Sequence, residues 1–500
     1  MVGQGLCRTG SVASVGVSIA SAVCLLLLAR VPALPQAPPA KSRIAALMRL
    51  PDLVFVQTPR LAAGTLAQRF PQGSWIVRYG TSAEPHKLTR LTDGFFAVAD
   101  PQISFDGTKI LVSGQKARNE RWQLWEMDLD GTHQRQVTQC SQDCVRGAYL
   151  PADEIAVTVE ENKDKQVLSH LAVVKTDGSD FHRITFGNAP FRLETVLRDG
   201  RIVASAPWPL VGTETSNGTR MLYTLRPDGT ALESFRCEHK GNAVQADAEE
   251  LADGSLVFVR QASAGSSIGG ELARIPQGDL HGTLLGAHAT VYESPRQVSE
   301  DELVVAKQSD TAADSGPHFD LYFFNLKSGT LGERVYADAQ ISSIQPVVVA
   351  PHTVPKHYWN TLNPQSTTGN FISLNSYISA DAPHGRIATP ISRVRVFTLN
   401  AADGTERNLG EAPVEADGSF FVQVPANWPV RFVLLDAKGQ TIREEHSWVW
   451  TRPGEERGCT GCHGDKTVAP DNRWPLTLRR FDTPTAMGEM DHGSATTQAK

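Results

Sequence analysis

The chemistry of this 500-residue chain is concentrated in Arg457-Gly-Cys459-Thr-Gly-Cys462-His463-Gly464. Two thiols two residues apart, followed at once by an imidazole, form the attachment pattern of haem c. Each thiol adds to one vinyl group of the ring, and the adjacent imidazole then reaches the iron. The pattern therefore assigns one covalent haem c, with Cys459, Cys462 and His463 as cofactor-binding residues and His463 as the metal ligand. Gly458, Gly461 and Gly464 would let the backbone lie close to the porphyrin. A zinc site would want a second ligand pair, and none follows in the sequence.

The motif needs an oxidising compartment and a scaffold. Thr9 to Ala29 carry no charge, lie between Arg8 and Arg30, and end in the run Leu25 to Leu28. This segment is a signal peptide or an uncleaved membrane anchor, with export favoured. Cys24 lacks the small residue before it that a lipoprotein site needs. The prolines between Pro32 and Pro39 read as an extended linker. Of seven cysteines, Cys7 and Cys24 fall in the targeting segment. Cys140 and Cys144 are close enough for a local disulfide, and Cys237 remains as a buried thiol. A net charge of −6 with no basic stripe makes nucleic acid an unexpected partner.

The elements that must position the motif are strands. The chain has 41 glycines and 30 prolines but few long helical patterns, so it reads as a turn-rich β protein. Turn glycines at Asp130-Gly131, Asp177-Gly178, Asp228-Gly229, Gln277-Gly278 and Ser328-Gly329 recur every 47 to 51 residues. A second register runs through Asp106-Gly107, Asp199-Gly200 and Asp253-Gly254. A third, of apolar residue plus threonine, is Leu88-Thr89, Val137-Thr138 and Ile184-Thr185. Each unit is a small antiparallel sheet that cannot cover its own faces, and radial packing solves that problem. Six units are expected, beginning near Asp52, Ala97, Gly147, Phe191, Val244 and Ser294, with the fourth strand of each unassigned. Asp100 to Leu111 and Gln123 to Gly131 resemble the blades of TolB-type six-bladed β-propellers.

From Pro351 the pattern changes. His352, His357, Tyr358 and Trp359 lie in an irregular stretch, where the histidines read as ordinary polar residues. Strands at Gly369–Tyr377, Arg393–Leu399, Asp417–Val424 and Val430–Leu435 suggest a small β-sandwich. The expected fold class is thus all-β: a six-bladed β-propeller, a small β-sandwich and a C-terminal haem-binding segment. The boundaries are 1–37 for the targeting segment and linker, 50–340 for the propeller, 351–452 for the sandwich and 453–500 for the haem segment and tail. Only 37 residues follow His463, too few for a helical cytochrome, so the other domains must wall the haem. Trp448 and Trp450 read equally as that wall or as strand core. His446, Met487, Met490 and His492 are candidates for a sixth iron ligand, and each reads by default as a surface residue.

Asp417 to Pro425, Ser447 to Trp450, Pro453 to His463 and Pro470 to Pro475 resemble the haem-proximal half of proteins related to the hydrazine synthase alpha subunit. The resemblance implies an exported haem protein with a six-bladed propeller in its middle. The synthase condenses nitrogen compounds at a haem, in a complex with other subunits. Its active-site haem takes a tyrosine four residues past the motif histidine. Thr467 stands at that place here and cannot serve in the same way. The synthase subunit also carries more than one haem, where this chain has one CxxCH motif.

The functional expectation is therefore a periplasmic or secreted monohaem c-type cytochrome-like protein. It would perform electron transfer or haem-based redox chemistry with a redox partner protein, and residues 9–29 could anchor it to the inner membrane. If it is an enzyme, it is a haem-dependent oxidoreductase. The alternative is a protein-binding propeller of the cell envelope with a structural haem. A hydrolase reading rests only on Gly265-Ser-Ser267-Ile-Gly269, which lacks the strand and helix that a nucleophile elbow requires.

Overall fold

A computed structural model describes residues 51–488, apart from 81–86, 164–165, 212–218, 236–243, 262–267, 278, 280–281, 310–315, 380–381, 401–403 and 462–471. The targeting segment, Cys237, Ser267, Cys462, His463, Gly464, Thr467, Met490 and His492 lie outside the described residues.

The repeat builds six blades. The first contains β1 (Leu53–Thr58), β2 (Trp75–Tyr79) and β3 (Leu88–Arg90), with a short helix α1 (Leu66–Arg69) between β1 and β2. The second is β4 (Ala97–Ile103), β5 (Lys109–Gln115), β6 (Gln123–Asp128) and β7 (Arg135–Gln136). The third is β8 (Asp143–Leu150), β9 (Glu154–Lys163), β10 (Gln166–Lys175) and β11 (His182–Arg183). The fourth is β12 (Arg192–Val196), β13 (Ile202–Pro207), β14 (Arg220–Leu225) and β15 (Glu233–Ser234). The fifth is β16 (Val244–Glu250), β17 (Leu256–Gln261), β18 (Glu271–Ile275) and β19 (Thr283–Leu285). The sixth is β20 (Tyr292–Ser299), β21 (Glu302–Gln308), β22 (Phe319–Asn325) and β23 (Thr330–Tyr336). β24 (Ser342–Val348) then returns to pair antiparallel with β1, matching Val56 with Ile344 and Leu53 with Val348. The chain thus supplies the inner strand of its first blade last, which closes the ring.

Turn chemistry explains the recurrence. The carboxylates of Asp106, Asp130, Asp177, Asp228 and Asp253 each accept the backbone N–H and the hydroxyl of the Ser or Thr two residues on. The apolar-threonine pair of the first blade is Leu91-Thr92, three residues past the pair expected from sequence. The Thr92, Thr138 and Thr185 hydroxyls accept the N–H of Ile76, Leu124 and Leu171 in three successive blades. Cys140 and Cys144 form the local disulfide, at the entry to the third blade.

Every inner strand is bulged. The register shifts fall around Asp100, Arg146, Glu194, Asp247 and Ser294, and opposite Gln345. Each blade therefore brings at least one polar residue to the central channel, around a cavity of about 60 Å³.

Residues 351–358 run along the propeller, and 363–367 bond to the sandwich. The His352 N–H donates to the Phe105 carbonyl and the Lys356 N–H to the Arg198 carbonyl. The sandwich follows as two four-stranded sheets. One is ordered β27 (Glu406–Pro413), β26 (Arg393–Leu399), β29 (Val430–Leu435), β30 (Thr441–Glu444). The other is ordered β31 (Glu456–Cys459), β25 (Thr368–Ser373), β28 (Phe420–Pro425), β32 (Thr485–Ala486). Phe371 and Phe420 meet Phe432 at ring-centroid distances of 5.1 and 5.7 Å, joining the two inner faces.

Candidate functional site: the strand that presents Cys459

The attachment motif begins inside a sheet. β31 pairs in parallel with β25, placing Asn370 opposite Glu456, Phe371 opposite Arg457, Ile372 opposite Gly458 and Ser373 opposite Cys459. The Cys459 carbonyl accepts the Leu374 N–H at 2.8 Å. Cys459 packs against the sandwich core, is half-buried, and has no disulfide partner. Burial pushes its thiol above the usual range, with Arg457 opposing and Glu445 reinforcing the shift. A free thiol fixed at the end of a sheet suits thioether attachment.

Two expectations about this segment change. Gly461 serves packing against the protein: a Cβ there would lie 2.6 Å from the Ile378 carbonyl oxygen. Gly458 faces open space instead, its nearest neighbour being an Ile372 methyl at 4.0 Å. Met487 is no surface residue. It is 1% exposed and packed into the sandwich core. His446 is exposed beside Glu444.

The chain beyond the motif returns to the same sheet end. A 3-10 turn at Leu476–Arg479 sits on the Asp417–Ser419 turn. The Leu476 N–H donates to the Asp417 carboxylate at 2.8 Å and the Thr477 N–H to the Ser419 hydroxyl at 3.0 Å. Cys459 and the 476–479 turn thus lie at the same end of the sheet.

Sequence reasoning missed what holds this end in place. Trp450 is 1% exposed and inserts into blade four, with its ring 5.7 Å from Phe191 and 6.0 Å from Phe186. Trp448 is buried as well, and its N–H donates to the Leu210 carbonyl at 3.0 Å. Both are seam residues between sandwich and propeller. Arg452 Nε donates to the Asp228 carbonyl at 2.8 Å, and its Nη1 to Asn427 Oδ1 at 2.6 Å. The Glu455 carboxylate accepts the N–H groups of Arg452 and Ala231. Arg457 donates to the carbonyls of Trp450 at 2.9 Å and Leu232 at 2.6 Å. The blade-four turn at 228–232 is therefore the anchor of the cysteine strand. Gly229 suits this crowded turn: its φ is +82°, and a Cβ would lie 2.3 Å from the Ile184 carbonyl oxygen and 3.2 Å from the Arg452 side chain. The only sequence signal is the charge density of Arg452-Pro-Gly-Glu-Glu-Arg457.

The channel ring is a second polar site. Arg146 stands 3.5 Å from Glu194 and 3.6 Å from Asp247, and Gln345 donates to Asp100 at 2.7 Å. Burial opposes the Arg146 charge, but Glu194, Asp100 and Asp247 outweigh it and hold the guanidinium firmly protonated. Burial raises the Glu194 pKa, against the pull of Arg146. Among the described residues, no group of three His, Cys, Asp or Glu side chains could hold a metal ion.

Known proteins match both halves of the chain. Residues 377–464 match the hydrazine synthase alpha subunit middle domain, a stretch that ends just past the attachment motif. Hydrazine synthase subunit alpha of Kuenenia stuttgartiensis is 23% identical over 82% of this chain and 66% of its own length. The chain is hydrazine synthase alpha subunit-like. The solved Kuenenia stuttgartiensis hydrazine synthase superposes over 86% of this chain and 71% of its own, with a TM-score of 0.75 and 20% identity. TolB from Acinetobacter baumannii aligns over 59% of this chain with 14% identity and a TM-score of 0.42. The chain thus spans just under two thirds of the curated relative. These matches correct the expectation of a simple monohaem electron carrier or an envelope binding module. The alpha-subunit-like relatives are a synthase and its subunit, and the likeness runs through propeller and sandwich alike.

Proposed function

We propose that this chain is the haem-bearing catalytic subunit of an exported, multisubunit enzyme of hydrazine-synthase type, acting on small nitrogen compounds. One observation carries the reading. The family match takes in most of the sandwich and runs through His463, and the motif's first cysteine is built into that sandwich's sheet. In this reading Cys459 and Cys462 hold one haem c and His463 is the iron ligand. The bound group would supply a redox-active iron. The chain's own residues do the rest: β31 fixes Cys459, Gly461 packs close against Ile378, and residues 476–479 are held at the same end of the sheet. Thr467 in place of the synthase tyrosine leaves His463 as the motif's iron ligand. Residues 9–29 direct export, and a further subunit is the protein partner.

The test is to mature the protein with its subunits in a periplasm and assay hydrazine formation. Hydrazine should form with the native chain and fall to background with Cys459→Ala. A fully haem-loaded complex that makes no hydrazine contradicts the reading.

A further inference from the structure

The strand that presents Cys459 is four residues long and lies at the edge of its sheet. So short an edge strand frays readily on its own, yet it must present a thiol in one orientation. Side chains two apart on a strand share a face, so Arg457 and Cys459 point the same way. The Arg457 guanidinium lies 5.6 Å from the Phe371 ring centre. It donates at the same time to Leu232 on the propeller and to Trp450 on the seam. A planar fork can satisfy two divergent carbonyls at once, whereas a lysine ammonium acts as a point charge on a flexible stem.

We propose that Arg457 is a positioning residue that locks the haem-bearing strand to blade four, so that the propeller sets the orientation of the attachment site. The inference deepens the proposed function and rests on its haem reading. It gives the propeller a direct role at the site that the motif alone does not suggest. Arg452 and Glu455 brace the same turn from either side, but both precede β31. Arg457 is the member of the clamp that lies within the cysteine strand.

The test compares full-length, matured native protein with Arg457→Ala, Arg457→Lys and Arg395→Ala. Arg395 is a control: it is another partly covered sandwich arginine, paired with Glu411 on the neighbouring strand. Amide exchange and the haem midpoint potential are both read. In Arg457→Ala, amides 456–461 should exchange at least tenfold faster while Arg220–Leu225 exchange as before, and the potential should shift. Arg457→Lys should fall between it and the native protein, and serves as the readout if the alanine variant does not fold. Arg395→Ala should change neither quantity. Unchanged exchange and potential in the Arg457 variants, or equal changes in Arg395→Ala, overturn the proposal. Native protein that matures without haem overturns the haem reading instead, and the exchange comparison then still decides the anchoring.

Discussion

The indole Nε1 of Trp450 donates a hydrogen bond to the carbonyl oxygen of Gly229, 3.2 Å away. One residue precedes the cysteine strand in the sandwich, and the other lies in the turn of a blade-four hairpin. Trp450 is packed among blade-three and blade-four residues, so the two domains share buried apolar surface. Trp450→Ala removes a large side chain from that seam and should cost about 3–5 kcal/mol. Trp450→Phe, which loses mainly the hydrogen bond, should cost about 1 kcal/mol. Denaturant unfolding of the alanine variant should split into two transitions where the native protein shows one.

Ring closure has its own weak point. Ile344 on β24 is fully buried opposite Val56. Ile344→Ala should destabilise the propeller by about 2–5 kcal/mol. The loss should appear in exchange of the first blade before it appears in the sandwich.

The Cys140–Cys144 disulfide spans only four residues of chain. A loop that short restricts the unfolded chain modestly, so the double serine variant should lose roughly 2 kcal/mol. Thermal unfolding in the presence and absence of reductant checks this, and the difference should vanish in the variant.

Acid stability should depend on His170 in β10. Burial, aided by nearby Arg183, lowers its pKa from 6.5 to about 3. Between those two values the unfolded chain binds a proton that the folded chain refuses. Stability from this group is therefore complete above about pH 6.5 and declines as pH falls toward 3, by at most about 1.4 kcal/mol per unit. His170→Phe should flatten that part of the pH–stability curve.

The blade count was legible because an Asp-Gly turn followed by Ser or Thr writes its hydrogen bonds into the sequence. The fourth strands were not, since Arg135–Gln136, His182–Arg183 and Glu233–Ser234 are two residues each and carry no period. The threonine register slipped in blade one because Leu88-Thr89 and Leu91-Thr92 look alike, and only burial of Thr92 separates them. The pairing of β24 with β1 joins residues nearly 300 positions apart, beyond any local pattern. The cysteine motif was legible from three residues. Its anchor was not, because Arg452, Arg457 and Trp450 donate to backbone carbonyls, which any residue could supply. The channel ring was hidden for a similar reason: it depends on bulges that bring Asp100, Arg146, Glu194 and Asp247 together.

The most direct measurement is intact mass, with a pyridine haemochrome spectrum, of the full chain matured with cytochrome c machinery in a periplasm. The account predicts the polypeptide plus one covalently held haem, lost on Cys459→Ala with Cys462→Ala. Bare polypeptide mass from a fully matured native sample would contradict it.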